Sequence, residues 1–162
     1  MINMRRMTED EYVVFRGNSI ADYAGDLMKE GQPEEQAREE AQEEFESMLP
    51  RGRETEDQFL MMIDDAESGK NVGWIWYMYE LNEEGSKQVF LNDFLIEEAE
   101  RRKGYAAAAL AEMERRAAAD GCRESVLYVW EHNQPGISLY LKCGYTVCSR
   151  QDDGQYMKKT LG

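Results

Sequence analysis

Arg101-Arg102-Lys103-Gly104-Tyr105-Ala106 is the stretch on which the reading of this chain turns. It follows an apolar run, residues 89–96, and opens a helix-forming run, residues 106–119. A strand, a short turn and a helix in that order build an anion site from backbone alone. The first N–H groups of a helix have no partner inside it, and they sit where the helix dipole is positive. A phosphate or diphosphate fits there. Gly104 allows a ligand to approach the backbone without meeting a Cβ. Arg101, Arg102 and Lys103 add three cations to a chain that is otherwise acidic. The same residues also suit a solvated basic turn. The spacing excludes two phosphate loops: no second glycine precedes a Lys-Ser/Thr pair, and Gly104 is the only glycine in the turn, so neither the Walker pattern nor the dinucleotide fingerprint is present.

A second motif lies downstream, Asn133-Gln134-Pro135-Gly136-Ile137-Ser138-Leu139-Tyr140-Leu141-Lys142-Cys143-Gly144-Tyr145, again after an apolar run, residues 125–130. With both motifs in view, the chain resembles the GNAT superfamily of acetyl-CoA-dependent N-acyltransferases. The family's acyl-CoA signature, Gln/Arg-x-x-Gly-x-Gly/Ala, reads here Arg101-x-x-Gly104-x-Ala106. Its later signature is an Asn, a short helix with Leu-Tyr, then Gly and an aromatic. It reads Asn133, Leu139-Tyr140 and Gly144-Tyr145. The resemblance covers residues 88–150. The front half resembles a bacterial branch of the family more loosely, through Met7-Thr8-Glu9 and Leu49-Pro50. Gly136 departs from the alanine of many members and is expected to loosen the start of its helix without removing chemistry.

The bulk of the chain bounds the answer. Its 162 residues suit a single domain, 1–162, with a full core. The net charge of −14 argues against a nucleic-acid partner, which needs a basic face. It suits a cationic amine drawn in by the field, and equally suits solubility. No apolar run is long enough to span a membrane, and the residues after Met1 do not read as a signal peptide. Cys122, Cys143 and Cys148 are odd in number and lack a Cys-x-x-Cys pair, so they read as thiols of a cytoplasmic protein. His132 is the only histidine and there is no Cys/His cluster, so no metal site is expected.

Periodicity and punctuation predict the elements. Residues 2–7 read as a strand. Thr8-Glu9-Asp10-Glu11 is a capping box opening a helix that Gly17-Asn18-Ser19 should break or bend and Gly31 should end. A second helix covers 33–48, and strands cover 58–64, 72–80 and 89–96. A long helix spans 103–120, with Ala106, Ala109, Leu110, Met113 and Ala117 on one face. A strand at 124–130 should lie parallel to 89–96, as a right-handed crossover requires. A short helix at 135–142 and a hairpin of 145–150 with 155–159 complete the chain. The expected class is α+β, a three-layer arrangement. By resemblance it is the GNAT acyl-CoA N-acyltransferase fold: a mixed, mostly antiparallel central sheet with a splayed parallel strand pair and flanking helices.

The resemblance also implies a site. Acetyl-CoA is the co-substrate, and its amide arm acts as a substitute strand between the splayed strands, along Phe94, Leu95 and Ile96. The diphosphate rests first on the backbone N–H groups around Arg102, Lys103, Gly104, Tyr105 and Ala106, and the side chains of Arg101, Arg102 and Lys103 are candidates for added charge-assisted contacts. Asn133 contacts the arm while capping its helix. The Ile96 N–H stabilises developing oxyanion charge, and Tyr140 protonates the departing thiolate. From the residues alone, Tyr140 reads equally as a core tyrosine. Asp93 interrupts an apolar strand and is the first candidate for general base, against a merely hydrogen-bonded carboxylate. Glu97, Glu98 and His132 are further candidates that also read as surface residues. Trp74, Trp76, Tyr77, Tyr79 and Trp130 divide between core and acceptor cleft in a way the sequence does not assign. The leading reading is acetyl transfer to a primary amine, small-molecule or peptide, by direct attack in a ternary complex, from a monomer or homodimer. Its rivals are a non-catalytic acyl-CoA sensor of the same fold, and an interaction protein whose acidic helices within residues 8–48 bind a basic partner.

Overall fold

A computed structural model describes all residues, 1–162. Seven strands form one mixed sheet in the order β1-β2-β3-β4-β5-β7-β6. They are β1 (Ile2–Arg6), β2 (Gln58–Asp65), β3 (Asn71–Leu81), β4 (Lys87–Ile96), β5 (Glu124–Trp130), β6 (Thr146–Arg150) and β7 (Gly154–Thr160). β4 and β5 run parallel, while β1–β2, β3–β4, β5–β7 and β6–β7 are antiparallel. The four α-helices are α1 (Glu9–Lys29), α2 (Glu34–Met48), α3 (Tyr105–Ala119) and α4 (Gln134–Lys142). The expected α+β class with one parallel pair is the architecture found. No helix is long and apolar enough to cross a membrane.

The chain divides into two compact units. The larger, Met1–Arg6 with Phe59–Gly162, holds the sheet, α3 and α4. Its core joins Ile63, Val72, Ile75 and Tyr77 to Ala109, Leu110, Met113 and Ala117, and to Leu127, Val129 and Met157, all essentially fully buried. The alanines of α3 leave no side chain to hold the helix off, so its face lies close on the strands. Arg116 ties the helix to the sheet edge by donating from Nη2 to the Met4 carbonyl at 2.7 Å. A buried network braces the other side. Ser125 Oγ lies 2.6 Å from the Tyr145 hydroxyl, which donates to Glu114 Oε2 at 2.9 Å, and Glu114 Oε1 accepts from Lys159 Nζ at 2.7 Å.

The smaller unit, Met7–Gln58, holds α1 and α2. The capping box forms as predicted: Thr8 Oγ1 accepts from the Glu11 N–H, and Glu11 Oε1 accepts from the Thr8 N–H. Ala24 and Leu27 of α1 pack with Ala37 and Ala41 of α2. The predicted break at Gly17-Asn18-Ser19 does not occur, and α1 is continuous through it. A helical glycine costs only about 1 kcal/mol. Buried Tyr12 and Phe15 on one side and Ala24 and Leu27 on the other hold the helix through that point. Gly31, at φ +100, ends it as expected, with the Gly31 and Gln32 N–H groups donating back to Met28 and Leu27 carbonyls.

Candidate active site

The parallel pair parts. β4 and β5 are in register from Gln88↔Glu124 to Leu91↔Leu127, and pairing stops there, although β4 continues to Ile96 and β5 to Trp130. The cause is visible on the other side of β4. Its register with β3 slips between Trp76↔Asp93 and Tyr77↔Leu91, which leaves Asn92 as an extra residue. A bulge of this kind bends the strand that carries it. Beyond the bulge the Glu97 N–H donates to the Val72 carbonyl at 2.8 Å. Strand alternation then turns the Asp93 and Leu95 amides toward β3 and the Phe94 and Ile96 amides toward the gap. The Phe94 N–H is taken by its neighbour, Asp93 Oδ1, at 3.0 Å. Gly73 permits this pairing, because a Cβ there would sit 2.0 Å from the Leu95 carbonyl oxygen.

At the head of α3 the turn is held from outside. Arg102 and Gly104 both adopt positive φ, 65° and 90°. That is uncommon for an arginine and costs backbone strain of a kind that gathers at ligand sites. Gly104 is the N-cap, and no side chain caps the helix. The basic side chains are already engaged or in solvent. Arg101 Nε donates to the Ile96 carbonyl at 2.8 Å, Lys103 Nζ donates to Glu100 Oε2 at 3.1 Å, and Arg102 is exposed. Glu100 Oε1 also accepts from Lys70 at 2.7 Å. The bonds from Lys70 and then Lys103 hold its carboxyl below the usual range. The Tyr105 ring turns away, its hydroxyl donating to Asp65 Oδ1 at 3.1 Å.

Two clefts meet at Tyr140. One, of about 310 Å³, runs between the end of β4 and the heads of α3 and α4, with Ile96, Arg101, Ala106 and Asn133 in its wall. The other, of about 150 Å³, lies in the gap between the strands and takes in Asn92, Asp93, Tyr128 and Trp130. Tyr140 and Asn133 line both. Burial, and then the nearby Asp93 carboxylate, push the Tyr140 hydroxyl up to about 12. Asn133 Oδ1 accepts from the Gly136 N–H at 3.1 Å, the helix cap anticipated from sequence. A Cβ at Gly136 would stand 2.6 Å from Asn133 Nδ2 as that side chain is placed for capping.

Asp93 sits on the sheet face of Trp76, its cross-strand partner. The indole Nε1 of Trp74 donates to Asp93 Oδ2 at 2.9 Å. The other base candidates stand apart. Glu97 and Glu98 are exposed, and His132 is exposed with its ring stacked on Trp130. The aromatics also divide: Tyr77 stacks on Phe59 and Tyr79 tilts against it in the core, whereas Trp130 lines the cleft.

A model of the acetyltransferase (GNAT) family matches residues 20–145. The chain belongs to that family. This GNAT chain is 33% identical over 142 residues to the uncharacterized N-acetyltransferase YdgE of Bacillus subtilis, covering 87% of itself and 89% of that protein. YycN, another N-acetyltransferase of the same bacterium, has a crystal structure that superposes with a TM-score of 0.77 at 31% identity, over 93% of this chain and 98% of that one. The PaiA N-acetyltransferase of Thermoplasma acidophilum, solved with coenzyme A, shares the fold at 19% identity, with a TM-score of 0.70 and 99% of each chain covered.

Three features of this GNAT acetyltransferase escaped the sequence. Trp74, read only as one of several aromatics, anchors Asp93. Arg101, read as a phosphate contact, turns its guanidinium back onto the strand end. Asn92, the bulge residue, carries a buried Nδ2 with no hydrogen-bond partner in the wall of the second cleft. The only signal for it was a polar pair, Asn92-Asp93, inside an apolar strand.

Proposed function

We propose that residues 1–162 form one catalytic domain that moves an acetyl group from acetyl-CoA to a primary amine by direct attack in a ternary complex. The observation that carries this is the parting of β4 and β5 after Leu91 and Leu127, with Tyr140 lining both the cleft in that gap and the one beside it. The family match supports the single-domain reading, since it runs across both compact units.

The donor set suits acetyl-CoA. A strand edge without a strand partner, an uncapped helix start at Gly104 and an orphaned amide at Asn92 are groups that need acceptors. The arm of the cofactor would lie along Phe94, Leu95 and Ile96 and against Asn133. Its diphosphate would rest on the backbone from Arg101 to Ala106, with Arg102 free to swing in. Acetyl-CoA supplies the acetyl group as an activated thioester. The Ile96 N–H is the donor turned into the gap for charge on the acetyl oxygen. Asp93 accepts the proton lost by the amine as the N–C bond forms. Tyr140, protonated at every physiological pH, gives its proton to the sulfur as the C–S bond breaks.

The three cysteines are thiols, none bridged, which suits work in the cytoplasm as a monomer or homodimer. The test is direct: isotope-labelled acetyl-CoA with a panel of small and peptide amines, scored for acetylated product. Tight binding of acetyl-CoA with no product from any amine would leave the sensor reading in its place.

A further inference from the structure

We infer that the acceptor is an aliphatic amine with a second positive charge, held by the aromatic lip of Tyr128, Trp130 and Tyr156 together with the Asp153 carboxylate. This rests on the transferase reading above and names the acceptor class for the same site.

The lip follows from strand geometry. On β5, Leu127 and Val129 are buried in the core, so Tyr128 and Trp130 share the opposite face. Tyr156 of β7 is the cross-strand partner of Tyr128. The three rings form one surface, Tyr128 edge-on to Trp130 at 5.5 Å and to Tyr156 at 4.9 Å. Trp130 is 47% and Tyr156 37% exposed, so both rings are within reach of an incoming molecule. The His132 ring lies nearly parallel to Trp130, with ring centres 6.3 Å apart. The cleft in the gap has Tyr128 and Trp130 in the same wall as Asp93 and Tyr140, so the lip is continuous with the groups assigned to the chemistry.

The carboxylate is fixed in place. The Tyr128 hydroxyl donates to Asp153 Oδ1, and the Glu131 N–H donates to the Asp153 carbonyl at 3.0 Å. Gly154 makes the approach possible, since a Cβ there would lie 2.5 Å from the Val129 carbonyl oxygen. The nearby cations are turned elsewhere: Lys158 pairs with Glu124, and Arg150 donates to the Gln155 side-chain carbonyl. Aromatic faces beside a fixed carboxylate attract ammonium groups and give a neutral chain end little. Only β5 stands between β4 and β7 in the sheet, and Asp93 shares the cleft wall with Tyr128 and Trp130, so one straight-chain molecule can reach from Asp93 to the lip. The net charge of −14 adds a field that gathers polycations.

The experiment compares a graded series of straight-chain diamines, each against the monoamine of equal carbon count, by kcat/KM at saturating acetyl-CoA. The expected ratio is at least about tenfold in favour of the diamine at the best length. Asp153→Asn and Trp130→Leu, which keeps bulk and loses the ring, each lower that ratio toward one. A wild-type ratio within about twofold of one at every length overturns the inference, as does a ratio that neither variant moves. A peptide N-terminus that outperforms every diamine overturns it too, and makes the acceptor a peptide. In each of those cases amines are still acetylated and the transferase reading stands. Acetyl-CoA binding without acetylation of any amine sinks that reading instead.

Discussion

The indole N–H of Trp74 donates to Asp93 Oδ2 across the β3–β4 pair, at 2.9 Å. A hydrogen bond to a carboxylate favours its charged form. Trp74→Phe removes the donor and keeps an aromatic ring. If Asp93 is the base, the acidic limb of the kcat/KM–pH profile moves to higher pH in the variant, because the carboxylate becomes easier to protonate. An unmoved limb removes Asp93 from that role.

Tyr140→Phe tests the proposed acid. The expected loss is about 10²–10⁴-fold in kcat, the usual contribution of one positioned acid, with acetyl-CoA affinity changed only a few-fold. With its hydroxyl at about 12, Tyr140 should impose no basic limb on the wild-type profile below about pH 11. Equal turnover in the variant, measured by thiol release, makes the residue structural.

Gly104 and Gly121 form a matched pair, at φ +90 and +94. A side chain at either position meets left-handed backbone strain of about 1–2 kcal/mol. Nothing lies within 4 Å of a Cβ at Gly121, while at Gly104 it would come 3.2 Å from Met1 Cε. Gly104→Val and Gly121→Val should therefore both lower the melting temperature, and only the first should also weaken acetyl-CoA binding in calorimetry. Unaltered affinity in Gly104→Val counts against the diphosphate turn.

Tyr145→Phe tests the buried brace. It strands the Ser125 hydroxyl, which is fully buried, and removes a donor from Glu114. A loss of about 1–3 kcal/mol in chemical denaturation is expected.

Much of the fold was legible because its punctuation is local. The capping box at Thr8, the glycine at position 31 and the two motif turns mark their own positions, and alternation marks most strands. The bulge left no such mark. Plain alternation along β4 would put Asp93 on the face of Val89 and Leu91, and one extra residue moves it to the face of Trp76. The continuity of α1 through Gly17 was likewise hidden, since it depends on burial of residues two turns away. Of the candidate site, the positions of Gly104, Asn133 and Tyr140 could be read from motifs. The partners Trp74, Arg101 and Tyr128 could not, because their roles depend on which strands end up adjacent.

The slip at Asn92 has a last consequence. Strand regularity and usefulness are opposed at that spot: a chain one residue shorter there could run true, zip its neighbours to the end and gain ladder bonds. It would lose the Asn92 amide, keep the other side chains named above, and close the gap between β4 and β5.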